Sequence, residues 1–272
     1  MTATPRDQPA SASPAWSAND LAVDCHARED KAVRVQRMFS AIARSYDLNN
    51  RLHSLGQDQR WRRIAVELSG AGPADSVLDV ACGTGDLSEA FARAGVASVV
   101  GADFTQAMLD IASRKASRLP AEQRPTYRWA DATRLPFETG SFSVVSIAFG
   151  IRNVSSPDLA LAEFRRVLRP GGRLVVLEFS RPANPMIRGV NDFYCRRIMP
   201  LSATLLSGDR SGAYRYLPRS IETFPDHHQL AARIREAGFE IRAQRPLTFG
   251  VCAVTVGVVG QELRRNVPAA PR

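Results

Sequence analysis

The chain is poor in the groups that announce a metal site or a disulfide framework. Its four cysteines, Cys25, Cys82, Cys195 and Cys252, are scattered over 272 residues without a CxxC pair. That argues against a zinc ribbon and a disulfide-knit fold, and makes a reducing cytosol the expected compartment, with no metal expected. No apolar run reaches the roughly 18 residues of a membrane-spanning helix, so membrane contact would be peripheral. No Gly-Lys-Ser/Thr follows a glycine loop, and no complete G-x-G-x-x-G follows a strand; a P-loop is absent and the dinucleotide fingerprint is incomplete. Aromatics make up 7% of the chain and no basic run is interleaved with them, so no nucleic-acid partner is expected. Basic charge is in excess. Thirty-six Lys and Arg against 27 Asp and Glu give a net +9, which favours an anionic neighbour such as an acidic lipid surface at the inner face of a membrane.

Residues 1–30 are rich in Ala, Ser, Pro and Asp, carry a lone Trp16, and read as a disordered arm. They lack the apolar core of a secretory signal, and their carboxylates argue against a transit peptide. From 31 to 69 the pattern turns helical, with Val35, Met38, Phe39 and Ile42 on one face. After Gly70, short apolar runs alternate with helical ones. "SVLDVA", "ASVVGAD", "TYRWAD", "FSVVSIAF" and "RLVVLEFS" read as buried strands separated by helices, which predicts an open parallel α/β sheet over one domain, 31–260. An insert at 181–224, with Pro182, Pro185, Pro200 and Pro218, reads as irregular. Two β-rich runs joined near Phe249-Gly250 read as a closing hairpin, and 261–272 is a tail.

Ligands of open parallel sheets bind beyond the carboxyl ends of the strands, where "LDVACGTGDLSEAF" places a glycine turn. Gly83 and Gly85 allow close backbone approach. Asp79 and Asp86 flank the turn; they would repel a diphosphate and suit a cationic amino group and sulfonium. Asp103 ends the next strand, where a carboxylate can accept both ribose hydroxyls. Asp131 ends the third, beside the position of an adenine edge. Ribose, adenine and a cationic tail together describe S-adenosylmethionine.

The runs "LDVACGTGD", "GADFTQAML", "ADATRLPF", "SVVSIAFGIRNV", "RVLRPGGRLVVLEFS" and "YDLNNRLHSLGQDQRW" closely resemble the C-methyltransferases of ubiquinone and menaquinone biosynthesis, over about residues 34–257. The resemblance implies a class I methyltransferase Rossmann-like fold, α/β, with a seven-stranded, mostly parallel sheet whose last strand is antiparallel, behind a helical N-terminal extension. It implies S-adenosylmethionine contacts at Thr84, Asp103, Asp131 and Ala132, a lid containing Tyr46 and Asp47, and a substrate-side pair, Arg152 and Asn153. Four positions depart from the family pattern. Ala148 stands where a serine is usual, Asn49 replaces a methionine, His53 an aliphatic residue and Asp58 a histidine.

The function so implied is C-methylation of a prenylated quinol, in which Arg152 stabilises a phenolate or orients water. Cys82 reads as a packing residue. Of the four histidines only His53 is a candidate base, since His26 lies in the arm and His227 and His228 open a helix. The insert's apolar residues and Arg188, Arg196 and Arg197 are candidates for a prenyl groove with a lipid-facing rim. Methylation of another apolar small molecule, and a non-catalytic partner that keeps the cofactor fold, stay open as alternatives, as does oligomerisation.

Overall fold

The computed structural model describes residues 14–17, 19–22, 24–199 and 211–260; the tail expected at 261–272 and the first 13 residues of the arm lie outside them. Seven strands form one sheet in the order β3-β2-β1-β4-β5-β7-β6. These are β1 (Ser76–Val80), β2 (Ser98–Asp103), β3 (Thr126–Trp129), β4 (Phe142–Ala148), β5 (Leu168–Phe179), β6 (Phe239–Leu247) and β7 (Cys252–Val259). The β1–β2, β2–β3, β1–β4 and β4–β5 pairs are parallel, and β7 is antiparallel to both neighbours, as expected for the seven-stranded sheet.

Both faces of the sheet are covered, which is why its central strands are apolar at nearly every position. Leu78, Val145 and Val176 point into one core with Leu161 and Phe164 of helix α6 (Pro157–Val167). Val77, Val144 and Val175 point into the other, against Trp61 and Ala65 of α3 (Gln57–Ser69) and Phe91 of α4 (Asp86–Arg93). The strand order reverses between β1 and β4, opening a crevice at their carboxyl ends. Over that crevice fold α1 (Lys31–Ile42), a short 3-10 turn, and α2 (Tyr46–His53); α5 (Gln106–Ala116) follows β2.

Two regions differ from the sequence reading. The part of the insert at 181–224 that is described is helical: α7 (Pro185–Phe193), continued by a π-turn at Tyr194–Ile198, and α8 (Ala213–Thr223). Pro185 sits in the first turn of α7, where a missing N–H costs nothing, and Asn184 caps it through Met186 and Ile187. Pro185 thus marks a helix start, and Pro218 lies inside α8. In the arm, Ala15, Trp16 and Cys25 are buried and form a third core with Met38, Ile42 and Tyr216. A single tryptophan finds an aromatic partner 200 residues away, which no local period announces. The closing helix α9 (His227–Glu236) starts at Asp226, whose side chain forms a capping box with Gln229.

Candidate active site

Two adjoining clefts lie at the carboxyl edge of the sheet and share Phe39, Tyr46 and Phe149 as their common wall. The first, of about 790 Å³, is lined by Gly83, Asp103, Asp131, Ala132, Ala148 and Asn153, among others. The second, of about 1160 Å³, is lined by α1, α2, α8 and the π-turn, and contains Arg152.

Backbone geometry builds the wall between them. Ala81 and Phe149, the residues just after β1 and β4, have φ of +51° and +56°, a conformation that costs a non-glycine residue of order 1–3 kcal/mol and concentrates at functional sites. A Cβ on Gly150 would lie 2.6 Å from that of Ala81, so the two loops close on each other only with glycine there. Gly83, at φ +54°, turns the first loop so that its N–H donates to Asp103 Oδ2 at 2.8 Å, while Thr105 N–H donates to Oδ1 at 2.8 Å. Each carboxylate oxygen keeps a further lone pair for a ligand. Burial pushes the Asp103 carboxyl up, and the backbone donors from Gly83 and Thr105 pull it down.

Not all of the expected cofactor residues reach the first cleft. Tyr46, Gly83, Asp103, Asp131, Ala132 and Asn153 line it; Asp79, Thr84 and Gly85 do not. Asp79 is buried beneath the loop and accepts from Ser88 Oγ at 2.6 Å and Ser146 Oγ at 2.8 Å, tying α4 to β4; burial pushes its carboxyl up to about 6. Gly85 leaves room for the Tyr127 ring, whose hydroxyl would lie 2.3 Å from a Cβ there. Thr84 Oγ1 donates to Asp47 Oδ1 at 2.5 Å. Asp47 also receives Lys115 at 3.0 Å, and Lys115 bonds Asp86 as well. Burial alone would raise Asp86, but Arg62 and Lys115 hold its carboxyl below the usual range. Asp86 thus joins Asp47 in the network that latches α2 onto the sheet, while Asp79 stays beneath the loop. Cys82 fits the packing assignment, its thiol pushed well up by burial.

Arg152 and Asn153 lie in a 3-10 turn directly after β4. Both donate to the Phe149 carbonyl, at 3.0 and 3.2 Å. Arg152 Nη1 is also paired with Glu178 at the end of β5, and its guanidinium lies over the Phe179 ring at 5.1 Å. Nη2 has no partner among the described residues, and Arg152 lines the second cleft. Burial pushes the Glu178 carboxyl up while Arg152 pulls it down. Asn153 Oδ1 accepts from Tyr216 Oη at 3.0 Å. Sequence reading missed Glu178 and Tyr216. Glu178 had a signal: a carboxylate inside the apolar run "RLVVLEFS" must find a cation when that strand is buried.

A model of the ubiE/COQ5 methyltransferase family matches residues 26–259. The chain belongs to the ubiE/COQ5 methyltransferase family. It is 50% identical to the demethylmenaquinone methyltransferase of Thermus thermophilus over 81% of this chain and 99% of that one. It is 41% identical to the ubiquinone/menaquinone biosynthesis C-methyltransferase UbiE of Ectopseudomonas mendocina over 84% and 90%. Among solved structures, a chain of the complex between the Haloferax volcanii Trm112 methyltransferase activator and a methyltransferase superposes with a TM-score of 0.59 at 18% identity, over 82% of this chain and 97% of that one. A SAM-dependent methyltransferase from Aquifex aeolicus gives 0.54 at 14%, over 73% and 89%. These distant structures establish the class I methyltransferase fold, while family membership makes the protein an S-adenosylmethionine-dependent methyltransferase of quinone biosynthesis.

The residues of the first cleft fit that cofactor. The Asp103 carboxylate is fixed by two backbone donors and open on its other lone pairs, as a ribose diol requires. Asp131, whose Oδ1 accepts from Thr133 N and Oγ1 at 2.8 Å each, and Ala132 line the same cleft. Ala148 lines the same cleft with a methyl group, which neither donates nor accepts a hydrogen bond.

Proposed function

We propose that this methyltransferase methylates a ring carbon of a prenylated quinol, a demethylmenaquinol in particular, held in the second cleft by Arg152, with Asn153 beside it facing the cofactor cleft. The observation that carries the reading is the shared wall. Phe39, Tyr46 and Phe149 separate a cofactor cleft from a mostly apolar cleft lined by two buried guanidiniums, Arg62, which is paired with Asp58, and Arg152. Demethylmenaquinol, a naphthoquinol, is favoured over a benzoquinol by the names of the Thermus thermophilus and Deinococcus radiodurans relatives, at 50% and 45% identity. S-adenosylmethionine supplies an electrophilic methyl on a good leaving group. The chain's residues must supply alignment, exclusion of water and an activated ring. A phenol of pKa about 10 is mostly protonated at neutral pH, and a cation beside its oxygen favours the phenolate, which makes the ring carbon nucleophilic. Arg152 Nη2 is the available donor. The Tyr46 ring and the Asp47–Thr84 and Asp47–Lys115 bonds hold α2 over the wall as the lid.

Incubation with methyl-labelled S-adenosylmethionine and reduced demethylquinols tests this directly. Label is expected on a ring carbon of the prenylated naphthoquinol, with at least tenfold less on the benzoquinol. Intact cofactor binding without transfer to any quinol overturns the reading.

The mouth of the second cleft supports work at a membrane surface. Met186, Val190 and Phe193, spaced by four and three along α7, are 76%, 68% and 63% exposed, so they share one outward face. Leu48, Leu52 and Leu55, in and just beyond α2, are exposed too. The two helices meet where Tyr194 Oη bonds His53, and Arg196 and Arg197 follow in the π-turn. We infer that this rim rests on an anionic bilayer while the prenyl tail enters. The protein is expected to co-sediment with anionic vesicles at low salt, and Met186→Ser/Phe193→Ser to weaken that at least tenfold, since burying each side chain is worth about 1.5–3 kcal/mol. Equal sedimentation of both proteins would sink the assignment of this face.

A further inference from the structure

Three residues that depart from the family pattern, Asn49, His53 and Asp58, all line the second cleft. Asp58 is locally satisfied: it pairs with Arg62 at 2.9 Å and accepts from Ser54 Oγ at 3.0 Å and Gln59 Nε2 at 2.9 Å. Asn49 and His53 are not. Asn49 is 2% exposed, and its Nδ2 donates to the Ser45 carbonyl at 3.0 Å. A carbonyl accepts only from the NH₂ end, which fixes the amide orientation. Its Oδ1 is therefore a buried acceptor, and it has no partner among the described residues.

The same accounting fixes the tautomer of His53. Tyr194 Oη donates its one proton to the His53 carbonyl at 3.2 Å. The 3.2 Å contact between that oxygen and His53 Nδ1 must then be an Nδ1–H donation. Nε2 is left with its lone pair, also buried and without a partner among the described residues. Burial lowers the affinity of this imidazole for a second proton, which keeps that lone pair available at neutral pH. Positions 49 and 53 are one turn apart on α2, so their Cβ atoms lie about 5–6 Å apart on one face.

We propose that Asn49 Oδ1 and His53 Nε2 form a pair of acceptors for ring hydroxyls, through which this cleft selects the reduced, hydroxyl-bearing ring over its oxidised quinone. The reasoning is one of complementarity and rests on the proposed quinol substrate. A hydroquinone hydroxyl satisfies a buried acceptor, whereas a quinone carbonyl sets one acceptor against another and leaves both unpaired. Sites built to bond a substrate hydroxyl reject analogues lacking it for that reason. Arg152, a donor, accommodates either redox state, so discrimination falls to the two acceptors. The methionine and aliphatic residue usual at these positions offer neither.

The test is anaerobic binding of one short-chain prenylated naphthoquinone, in its reduced, oxidised and dimethyl-ether forms, to the full-length protein saturated with S-adenosylhomocysteine. Wild type is expected to bind the reduced form at least about tenfold more tightly than either other form. In Asn49→Leu/His53→Leu the reduced form should weaken about tenfold and the three affinities converge, with S-adenosylhomocysteine affinity unchanged. His53→Gln, which keeps an amide acceptor, should retain part of the preference. Equal affinities for the three forms in wild type, a comparison that needs no variant, would overturn the proposal, as would a preference that survives in the double variant. Methylation of quinols without this preference defeats the acceptor pair alone. The preference without any methylation defeats the proposed function and leaves the acceptor pair standing.

Discussion

Arg152→Ala is expected to lower kcat by at least about a hundredfold and to destabilise the protein by about 3–5 kcal/mol. The two losses have separate causes. Turnover falls because the free Nη2 edge of the guanidinium is lost from the second cleft, and removing one preorganised donor to a developing oxyanion typically costs 10²–10³ in rate. Stability falls because Glu178, 2% exposed at the end of a central strand, loses its cation. Breaking a buried pair on one side leaves an uncompensated charge. Burial already pushes that carboxyl up, so in the variant it takes a proton more readily, which limits the penalty without restoring the ring's donor. A double replacement separates the effects. Arg152→Met/Glu178→Leu removes both charges and keeps apolar volume, so thermal unfolding should return towards wild type while kcat stays low. Cofactor affinity, measured by calorimetry, should change little in either protein, since Arg152 lies outside the first cleft. If the double variant regains turnover along with stability, Arg152 is structural and the phenolate role is wrong.

The contrast between Arg152 and Glu178 shows what a sequence can and cannot convey about such a site. The open parallel sheet and the loop at its carboxyl edge were legible because they depend on local signals: near-continuous apolar runs, the glycine turn after β1, and carboxylates at the ends of consecutive strands. Within the cluster around the turn, the sequence could not separate residues that face the cleft from those beneath it. Asp79 and Asp103 both belong to strands, Asp103 as the last residue of β2 and Asp79 one before the end of β1. In the β1–β2 register Asp79 pairs with Gly101, two residues short of Asp103, so it lies deeper along the same face, on Ser88 and Ser146. The insert misled for a similar reason, because a proline in the first turn of a helix carries the same letter as one that breaks a helix. Partnerships across long separations, Arg152 with Glu178 or Asn153 with Tyr216, exist only once the fold is assembled.

Trp16→Ala is expected to release the N-terminal segment and to slow catalysis from a distance. Trp16 is fully buried. Its ring stacks on Tyr216 with centroids 4.6 Å apart, Arg34 lies over it at 5.6 Å, and its backbone N–H donates to Ser211 O at 3.0 Å. The seat is tight: a Cβ on Gly212 would lie 2.2 Å from the Trp16 carbonyl oxygen. Truncating a buried tryptophan costs about 3–5 kcal/mol where the surroundings stay in place. Here the segment can instead undock as a unit, so the loss should be read locally. Limited proteolysis of the variant is expected to cut within 16–30 well before the remainder, whereas wild type resists. Tyr216 then loses its stacking partner, and its hydroxyl is what holds Asn153 Oδ1 beside the cofactor cleft. A severalfold fall in kcat with near-normal cofactor affinity is the expected consequence. Tyr216→Phe isolates the second link, because it keeps the stack and removes only the hydrogen bond, typically worth about 0.5–1.5 kcal/mol. That variant should resist proteolysis like wild type and still lose rate. Should Trp16→Ala resist proteolysis equally, the tryptophan does not anchor the segment, and any change in rate has another origin.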